Sequence, residues 1–470
     1  MYSSAFAETQ NAFGKLPMRP FFRAVPSIGL TVVLTFSIGC PNASWKKGTE
    51  VGETFEAYAD LPGLKASHHP GLQSELALLT SEQATPRQLD EVHATADPAS
   101  VEVAAVLTTE FHNSAVELAA SQTDKLFDAG EFQWDPINTQ RAFQLRQQYD
   151  VPRQAVRRAM AQTKRHIQLN LSQGVGRSIE FVDAARIYNR MEMFLAAEQL
   201  VVGDLNAAIE TTAAMLAMCE LLGDQPHVVS RLAAGESRRE VLQIVQAIAA
   251  NSRCDASQTE QLRTLVEAQL TNWPSDSDAW IGDRAQGLHL YEMIRDGQLL
   301  SLLTEDELAQ HSGGGNLNSF LAAATRSIDS DQHFYLRSMR EIIAACDRPY
   351  SQREKVFDKL RTQLGELQKT PEYPLVADRM LLQNIEEAQR FQATDLAWTQ
   401  AWANALTVSL EQRRPPYELN PLTGKPYQIY FENGDVKVSH IEQDGGIAKI
   451  TIPLRRTEHA AHSGALPPPR

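Results

Sequence analysis

Few residue groupings in the chain have the types and spacing that metal binding or catalysis requires. His68 and His69 have no third ligand at the spacing typical of zinc sites, and the sequence contains no H-E-x-x-H or C-x-x-C. Asp329, Asp331 and His333 combine metal-ligand types over a short stretch, yet the same pattern is typical of a solvated helix start. The sequence therefore predicts no metal, no cofactor and no identifiable catalytic residue.

The residue with the most legible chemistry is Cys40, at the end of an apolar run. Arg19 and Arg23 supply a positive region, and residues 28–38 supply the apolar stretch. Such a run is long enough for a secretion signal and shorter than the ~20 apolar residues of a membrane span. The three residues before the cysteine are Ser37, Ile38 and Gly39. The pattern predicts export with cleavage immediately before Cys40.

This ending resembles the lipobox of bacterial lipoproteins, in which the cysteine receives diacylglycerol on its sulfur and becomes the new amino terminus. Ile38 and Gly39 match the lipobox pattern, whereas Ser37 stands where leucine is usual. Pro41 is not the aspartate associated with inner-membrane retention. The resemblance therefore implies a lipid anchor on Cys40 in the outer membrane, facing the periplasm.

The composition changes several times along the chain. Residues 41–100 are rich in Pro, Gly, Ser, Thr and Ala, which is typical of a linker. Met18 is followed at once by Arg19 and a signal of normal length, whereas residues 1–17 carry no export pattern. We predict a signal sequence at 1–39 with its true start at Met18, a flexible tether at 40–100, an α-helical domain at 101–414, a small β meander packed on it at 415–454 and a disordered tail at 455–470.

The apolar pattern of the predicted helical domain is helical almost throughout. Leu205 and Ile209 begin a series with three- and four-residue spacing, which places its members on one helix face. Asp204 precedes this series as an N-cap, and Gly223 follows it where a helix end is expected. Another helix is predicted at 139–171. Because the breaks between helices are short, the predicted fold class is mainly α, with stacked antiparallel helix pairs.

The chain changes to a β pattern after Pro415 and Pro416, which end the last predicted helix. Asn433 and Gly434 form a strong hairpin signal, because both residue types tolerate positive φ. A sheet this small has marginal stability of its own, so we expect it to pack on the helical domain. The pattern predicts a three-stranded antiparallel meander with strands at 427–431, 435–441 and 447–454.

A turn motif, N-P-L-T-G-K-P-Y, precedes the first predicted strand. Its first proline fixes φ, its glycine supplies a left-handed step, and its second proline biases the lysine towards extended geometry. The motif resembles the D-P-F-T-G-K-P element of an uncharacterised family of planctomycete-type exported lipoproteins, with Asn420 where that family has aspartate. The resemblance implies export and a helical body, and it carries no activity. The predicted turn residues are Pro421, Thr423, Gly424, Lys425 and Pro426.

The formal net charge is -14 at pH 7, and we find no basic stripe in the sequence. Because phosphate neutralisation by Lys and Arg dominates nucleic-acid binding, nucleic acid is not a predicted partner. Besides Cys40, the chain has Cys219, Cys254 and Cys346. An odd number of cysteines cannot all pair within one chain. We predict that these three are small apolar residues in helices, and the sequence leaves open whether any two form a disulfide.

Together these patterns favour a lipid-anchored protein of the bacterial cell envelope, with a non-enzymatic role in interaction or as a scaffold. Its predicted partners are the membrane, through the lipid anchor, and envelope proteins or a cell-wall polymer. Two alternatives stay open. An exported hydrolase or lyase acting on polysaccharide or peptidoglycan would need two carboxylates facing each other across a groove. An assembly factor for secretion or pili rests on a similar turn, D-P-W-G-N-P-Y, in type II secretion pseudopilins.

Overall fold

A computed structural model describes residues 61–81, 100–111, 113–128, 131–167, 169, 180–298, 317–441 and 447–455. Over these residues the chain is mainly α, with a three-stranded antiparallel sheet near the carboxyl end, which confirms the predicted fold class. The predictions on the lipidated cysteine, the signal and the tail fall outside the described residues; they concern Cys40, Arg19, Arg23, Ser37, Ile38, Gly39 and 456–470.

Two hydrophobic cores organise the described residues. The first core contains helices from the middle of the chain, the carboxyl half of α15 (Ile385–Glu411) and the sheet. Two short strand pairs brace it: β1 (Val101–Glu102) runs parallel to β4 (Arg165–His166), and β2 (Phe127–Asp128) runs antiparallel to β3 (Glu131–Phe132). Its other helices are α3 (Val103–Glu110), α4 (Asn113–Thr123), α5 (Pro136–Gln148), α6 (Asp150–Met160), α7 (Glu180–Val202), α8 (Leu205–Gly223), α9 (Val228–Ala250) and α10 (Ala256–Thr271).

Helices α7, α8 and α9 form the centre of the first core. Only Gly203, with φ of 81°, and Asp204 separate α7 from α8, so these packed helices run antiparallel. The Asp204 carboxylate accepts the N–H of Ala207 (3.1 Å), as an N-cap does. Helix α8 is long and apolar enough to cross a membrane by length and composition, but 56% of its most apolar stretch is buried inside the protein. Helix α8 packs against both α7 and α9, and these contacts account for the burial.

The second core combines elements from both ends of the described chain. Its largest fully buried side chains are Trp280, Tyr291 and Tyr335. The amino-terminal half of α15 also belongs to it. Its other elements are α1 (Pro62–Ala66), α2 (Pro70–Ser81), α11 (Asp276–Arg295), α12 (Leu317–Arg326), α13 (Ile328–Ala345), α14 (Tyr350–Leu367) and a π-helical segment (Ala377–Leu381).

The predicted tether, 40–100, is wrong for residues 61–81. These residues form α1 and α2, which pack on the second core. Leucines spaced three, four or seven apart give this Pro- and Gly-rich segment an apolar face, and burying a leucine is worth about 1.5–3 kcal/mol relative to exposure. Four leucines of the segment are buried: Leu61, Leu64, Leu72 and Leu79.

The helix predicted at 139–171 is two helices followed by a strand. Helix α5 ends at Gln148, and α6 begins at Asp150, so Tyr149 alone separates them. Pro152 lies in the first turn of α6, where its missing N–H leaves no hydrogen bond unmade. Strand β4 then returns the chain to β1. A continuous apolar pattern hid this break, because both helices bury residues in the same core.

The sheet lies within one residue of its predicted strand boundaries. Asn433 and Gly434 both have positive φ, 55° and 84°, as the hairpin signal predicts. The connection between the second and third predicted strands, 442–446, lies outside the described residues. The strands are β5 (Gln428–Glu432), β6 (Asp435–Ile441) and β7 (Ile447–Pro453), in the order β5-β6-β7.

The inner face of the sheet completes the first core. Ser409 Oγ of α15 donates to the carbonyl oxygen of Pro453 (2.6 Å), and Gln246 Nε2 of α9 donates to that of Thr451 (2.9 Å). Strand β7 is thereby tied to both helices. The buried side chains of this face are Val436, Val438, Ile450 and Ile452.

Helices α9 and α15 each contribute to both cores, and buried charges lie where the cores meet. Asp276 lies between Arg231 (3.4 Å) and Arg353 (3.0 Å). Arg238 of α9 pairs with Asp395 of α15. We call these five residues the junction network. Buried charges persist only when paired, so the network constrains how the two cores meet.

Candidate functional site

The structure separates the residues that the sequence groups as metal-ligand types. Asp329 accepts a hydrogen bond from Arg295 Nη2 (2.8 Å). The His333 ring lies against His69, with 5.2 Å between ring centroids, whereas Asp331 points into the second core. No group of three or more possible His, Cys, Asp or Glu ligands occurs in the part of the chain that the structure describes.

Asp331 has a structural role in the second core. Its fully buried carboxylate accepts hydrogen bonds from Tyr291 Oη (2.5 Å), Val376 N–H (2.7 Å) and Ala377 N–H (2.9 Å). Burial raises the pKa of Asp331 to about 6, although these three hydrogen bonds favour the charged form. The carboxylate thus fastens the π-helical segment to α11 and α13, without access to a substrate.

The turn motif docks on the amino terminus of α14. The N–H groups of Tyr350 and Ser351 donate to the carbonyl oxygens of Pro421 (2.9 Å) and Leu422 (3.1 Å). Asn420 Oδ1 accepts the N–H of Leu422 (2.8 Å), which shapes the turn from within. The first N–H groups of a helix have no partner inside it, so the motif satisfies two of them. Gly424 has φ of 69°, and Thr423, Lys425 and Pro426 complete the turn.

The three described cysteines are free and buried. Cys219 lies within α8, whereas Cys254 and Cys346 lie at helix ends. Burial raises the pKa of the Cys219 thiol to about 12, and it does the same for Cys346. Thiols held in this way are poor nucleophiles.

An open cleft between α6, α7 and α8 has the clearest ligand chemistry among the described residues. Its volume is about 400 Å³, which lies within the range of small-ligand sites. Helix α6 supplies a basic wall, and α7 and α8 supply the opposite side. The polar and charged lining includes Arg153, Arg157, Arg158, Gln199, Glu210 and Thr211.

A buried carboxylate holds the basic wall in place. Glu192 of α7 is fully buried and accepts hydrogen bonds from Arg153 Nη1 (2.9 Å) and Arg157 Nη1 (2.6 Å). Asp150 contacts the other side of Arg153 (2.8 Å), and this hydrogen bond holds the pKa of Asp150 below its ordinary value. The two arginines are therefore fixed before any ligand arrives, which reduces the entropy lost on binding.

Arg158 is the exposed donor at the rim of the cleft. Its side chain has no carboxylate partner among the described residues, and the neighbouring Arg157 side chain is 32% exposed beside the same opening. Gln199 Oε1 accepts the hydroxyl of Thr211 (3.0 Å), which leaves the amide nitrogen of Gln199 as a donor. Guanidinium groups bind carboxylates and phosphates through paired N–H donors. The arrangement therefore suits an anionic group.

Sequence reasoning missed this cleft, because the chain as a whole is acidic and its arginines do not form a long stripe. The available signal is local: α6 reads D-V-P-R-Q-A-V-R-R-A-M, with three arginines against one carboxylate. Arg153 and Arg157 are four residues apart and lie on one helix face. Their common partner, Glu192, is far along the chain, and only the fold brings it to them.

Comparison of the chain with protein-family models, curated proteins and solved structures finds no match. The resemblance of the turn motif to an exported family therefore stays a prediction.

Proposed function

We propose that the protein is a lipid-anchored scaffold of the bacterial cell envelope, and that its arginine-lined cleft binds a carboxylate-bearing peptide segment of an envelope partner. The run before Cys40 supports the anchor. The observation that carries the binding role is the pair Arg157 and Arg158 at an open cleft, beside a wall fixed by buried Glu192. No nucleic acid is proposed as a partner, because the chain carries a net charge of -14.

The cleft favours a peptide carboxylate over a larger anion. Its volume of about 400 Å³ accommodates one or two side chains, not a folded surface. The lining also includes Leu195 and Ala207, which supply apolar contact beside the guanidinium groups. Glu210 at the same cleft opposes a dense cluster of negative charge. An isolated carboxylate on a short peptide meets all three conditions.

Reversing the charge of Arg158 is the direct test of the cleft. We expect Arg158→Glu to weaken binding of a fluorescent alanine-based hexapeptide that carries a single glutamate and blocked termini at least about tenfold, roughly 1.4 kcal/mol, because the substitution places a like charge opposite the ligand. Fluorescence anisotropy at low ionic strength measures the affinity. Arg158 is exposed, so the fold should tolerate the change.

The matched control is Arg141→Glu, on the exposed face of neighbouring α5 and outside the cleft lining. It changes the net charge by the same amount, so we expect it to alter the affinity less than about twofold. Equal losses in the two variants would mean diffuse attraction and would contradict a site in the cleft. Binding of soluble cell-wall fragments without binding of the single-glutamate peptide would contradict a peptide ligand and would favour a cell-wall polymer.

The anchor predicts a defined mature amino terminus. Mass spectrometry of the protein purified from native cells should find diacylated Cys40 as the first residue, with residues 1–39 removed. Lipid chains contribute about 0.8 kcal/mol per buried methylene, so a protein carrying two or more should partition with membranes. Substituting Cys40 with alanine should abolish the added mass. Recovery of an uncleaved chain with an unmodified Cys40 would contradict the anchor.

The hydrolase or lyase alternative is less well supported than binding. Such an enzyme needs two carboxylates across a groove, and the described lining of this cleft contributes one, Glu210. The nearby Asp150 is held by Arg153 and Arg146 (3.3 Å). An assembly role in secretion has no further support among the described contacts.

A further inference from the structure

Residues 61–81, which we call the strap, lie on α11 and α13. At the first helix of the strap, the Glu292 carboxylate accepts the N–H groups of Gly63 (2.6 Å) and Leu64 (2.9 Å). These are N–H groups at a helix start, where a carboxylate is favoured. The strap is therefore docked by specific polar contacts in addition to its leucines.

Two further contacts, which follow the first helix of the strap, join the strap to α13. Ser67 Oγ donates to Asp329 (2.7 Å), and Glu75 pairs with Arg340 (2.6 Å). Glu75 is buried within this pair. The strap thus crosses the surface of α13 over most of its length, and its position depends on charged groups of that helix.

A histidine pair lies at the start of α2. His69 is the residue before this helix, and its Nδ1 accepts the N–H of Leu72 (3.3 Å), as an N-cap does. The ring of His333, from α13, lies 5.2 Å from that of His69. Gly71 permits this approach, because a Cβ there would lie 2.6 Å from the His333 ring. The pair therefore connects the capping of α2 to its contact with α13.

We propose that protonation of the His69–His333 pair releases the strap from the second core. A proton on His69 Nδ1 removes the acceptor that caps α2 and adds positive charge at the positive end of the helix dipole. When His333 is protonated as well, the two positively charged rings repel each other. Histidine is the side chain that changes charge nearest to neutral pH, so release occurs on mild acidification.

The charges around the pair are unequal. His333 faces His69 and Glu75 from the strap, together with Arg337 and Arg340 from its own helix. Burial is the main cause that lowers the pKa of His333, and the positive charges of His69 and the two arginines lower it further. The carboxylate of Glu75 has the opposite effect. Asp329 attracts a charged His69, but Arg295 already engages that carboxylate. The surroundings therefore disfavour a proton on the docked His333 ring.

The lowered pKa of His333 fixes the direction in which strap docking depends on pH. A basic group whose pKa is lower in the docked state binds protons better after release. Docking is therefore fully stabilised above the ordinary histidine pKa of about 6.5, and it weakens as the pH falls below that value.

Release would also change the reach of the proposed anchor, a consequence that rests on the proposed function. With the strap docked, the twenty residues 41–60 separate Cys40 from the body and span at most about 70 Å. With the strap released, the separating segment includes at least the forty-one residues 41–81, with a maximum length of about 150 Å.

Hydrogen exchange of the full chain at pH 7.5 and 5.5, corrected for intrinsic exchange rates, tests the release without reference to the anchor. We expect protection of strap amides to fall at least about tenfold at the lower pH, whereas amides of α7 keep theirs. In the variant His69→Asn with His333→Gln, the asparagine still caps α2 and neither residue titrates. Strap protection should then differ less than about threefold between the two pH values.

The exposed neighbour His68 supplies the control: His68→Asn should keep the full pH dependence of the wild type. Equal strap protection of the wild type at both pH values would overturn the proposal. An undiminished drop in the double variant, or a drop shared by α7, would overturn it as well, since the first excludes the histidines and the second is global unfolding.

Discussion

Replacing Gly282 with alanine is expected to lower the free energy of unfolding by about 3 kcal/mol. Gly282 lies in α11 and meets Pro226, two residues before α9. An added Cβ would overlap the carbonyl oxygen of Pro226 and would lie 2.8 Å from its carbonyl carbon. Because the obstacle is backbone, no side-chain rotation relieves it, and α11 must move away from α9. Urea denaturation followed by circular dichroism measures the loss.

The chain offers a matched control in Gly365→Ala. Gly365 lies in α14, and nothing lies within 4 Å of the position its Cβ would take. Alanine is favoured over glycine in a helix by about 0.5–1 kcal/mol, so this variant should gain stability by that amount. A gain at both positions would show that α11 and α9 do not approach as closely as the structure has them.

Both cores depend on this contact between α9 and α11. Arg231 in the first turn of α9 donates to the carbonyl oxygen of Gly223 (2.9 Å) and to that of Pro274, just before α11. Asp276, at the start of α11, contacts the same arginine. The backbone contact at Gly282 and the ion pair at Asp276 therefore both fix the position of α11 relative to α9.

Local elements could be predicted from the sequence because their causes are local. The cap at Asp204 and the hairpin at Asn433 and Gly434 each depend on residues a few positions apart. The proline and glycine content of the strap predicts a tether, whereas Leu61 and Leu64 pack in the second core against residues distant in the sequence. A segment's own composition does not show what it packs against.

The junction network and the cleft could not be predicted for the same reason. Arg238 and Asp395 are 157 residues apart, and Arg153 and Glu192 are 39 apart. Each charge taken alone fits an exposed helix face, as most arginines and carboxylates do. Only the packing of α6 on α7, and of α9 on α15, shows which of them are buried partners and which, like Arg158, stay open to solvent.

Neutralising Asp276 should have a larger effect still, a loss of about 3–5 kcal/mol for Asp276→Asn in the free energy of unfolding. Asp276 is the one carboxylate between Arg231 and Arg353 in the described structure, and the three side chains are no more than 7% exposed. Asparagine keeps the shape but removes the ion-pair partner that the buried Arg231 and Arg353 share. Burial already lowers the pKa of Arg231, and Asp276 opposes that effect.

A surface pair separates this mechanism from a general sensitivity to charge. Asp358 and Arg361 form an ion pair with side chains 69% and 55% exposed, so Asp358→Asn should cost less than about 1 kcal/mol. Combining Asp276→Asn with Arg353→Met removes one of the stranded cations. The cost of Arg353→Met should therefore be about 1–3 kcal/mol smaller in the Asp276→Asn background than in the wild type. Additive losses would mean that Asp276 and Arg353 act independently, and the network would then not be what holds the two cores in register.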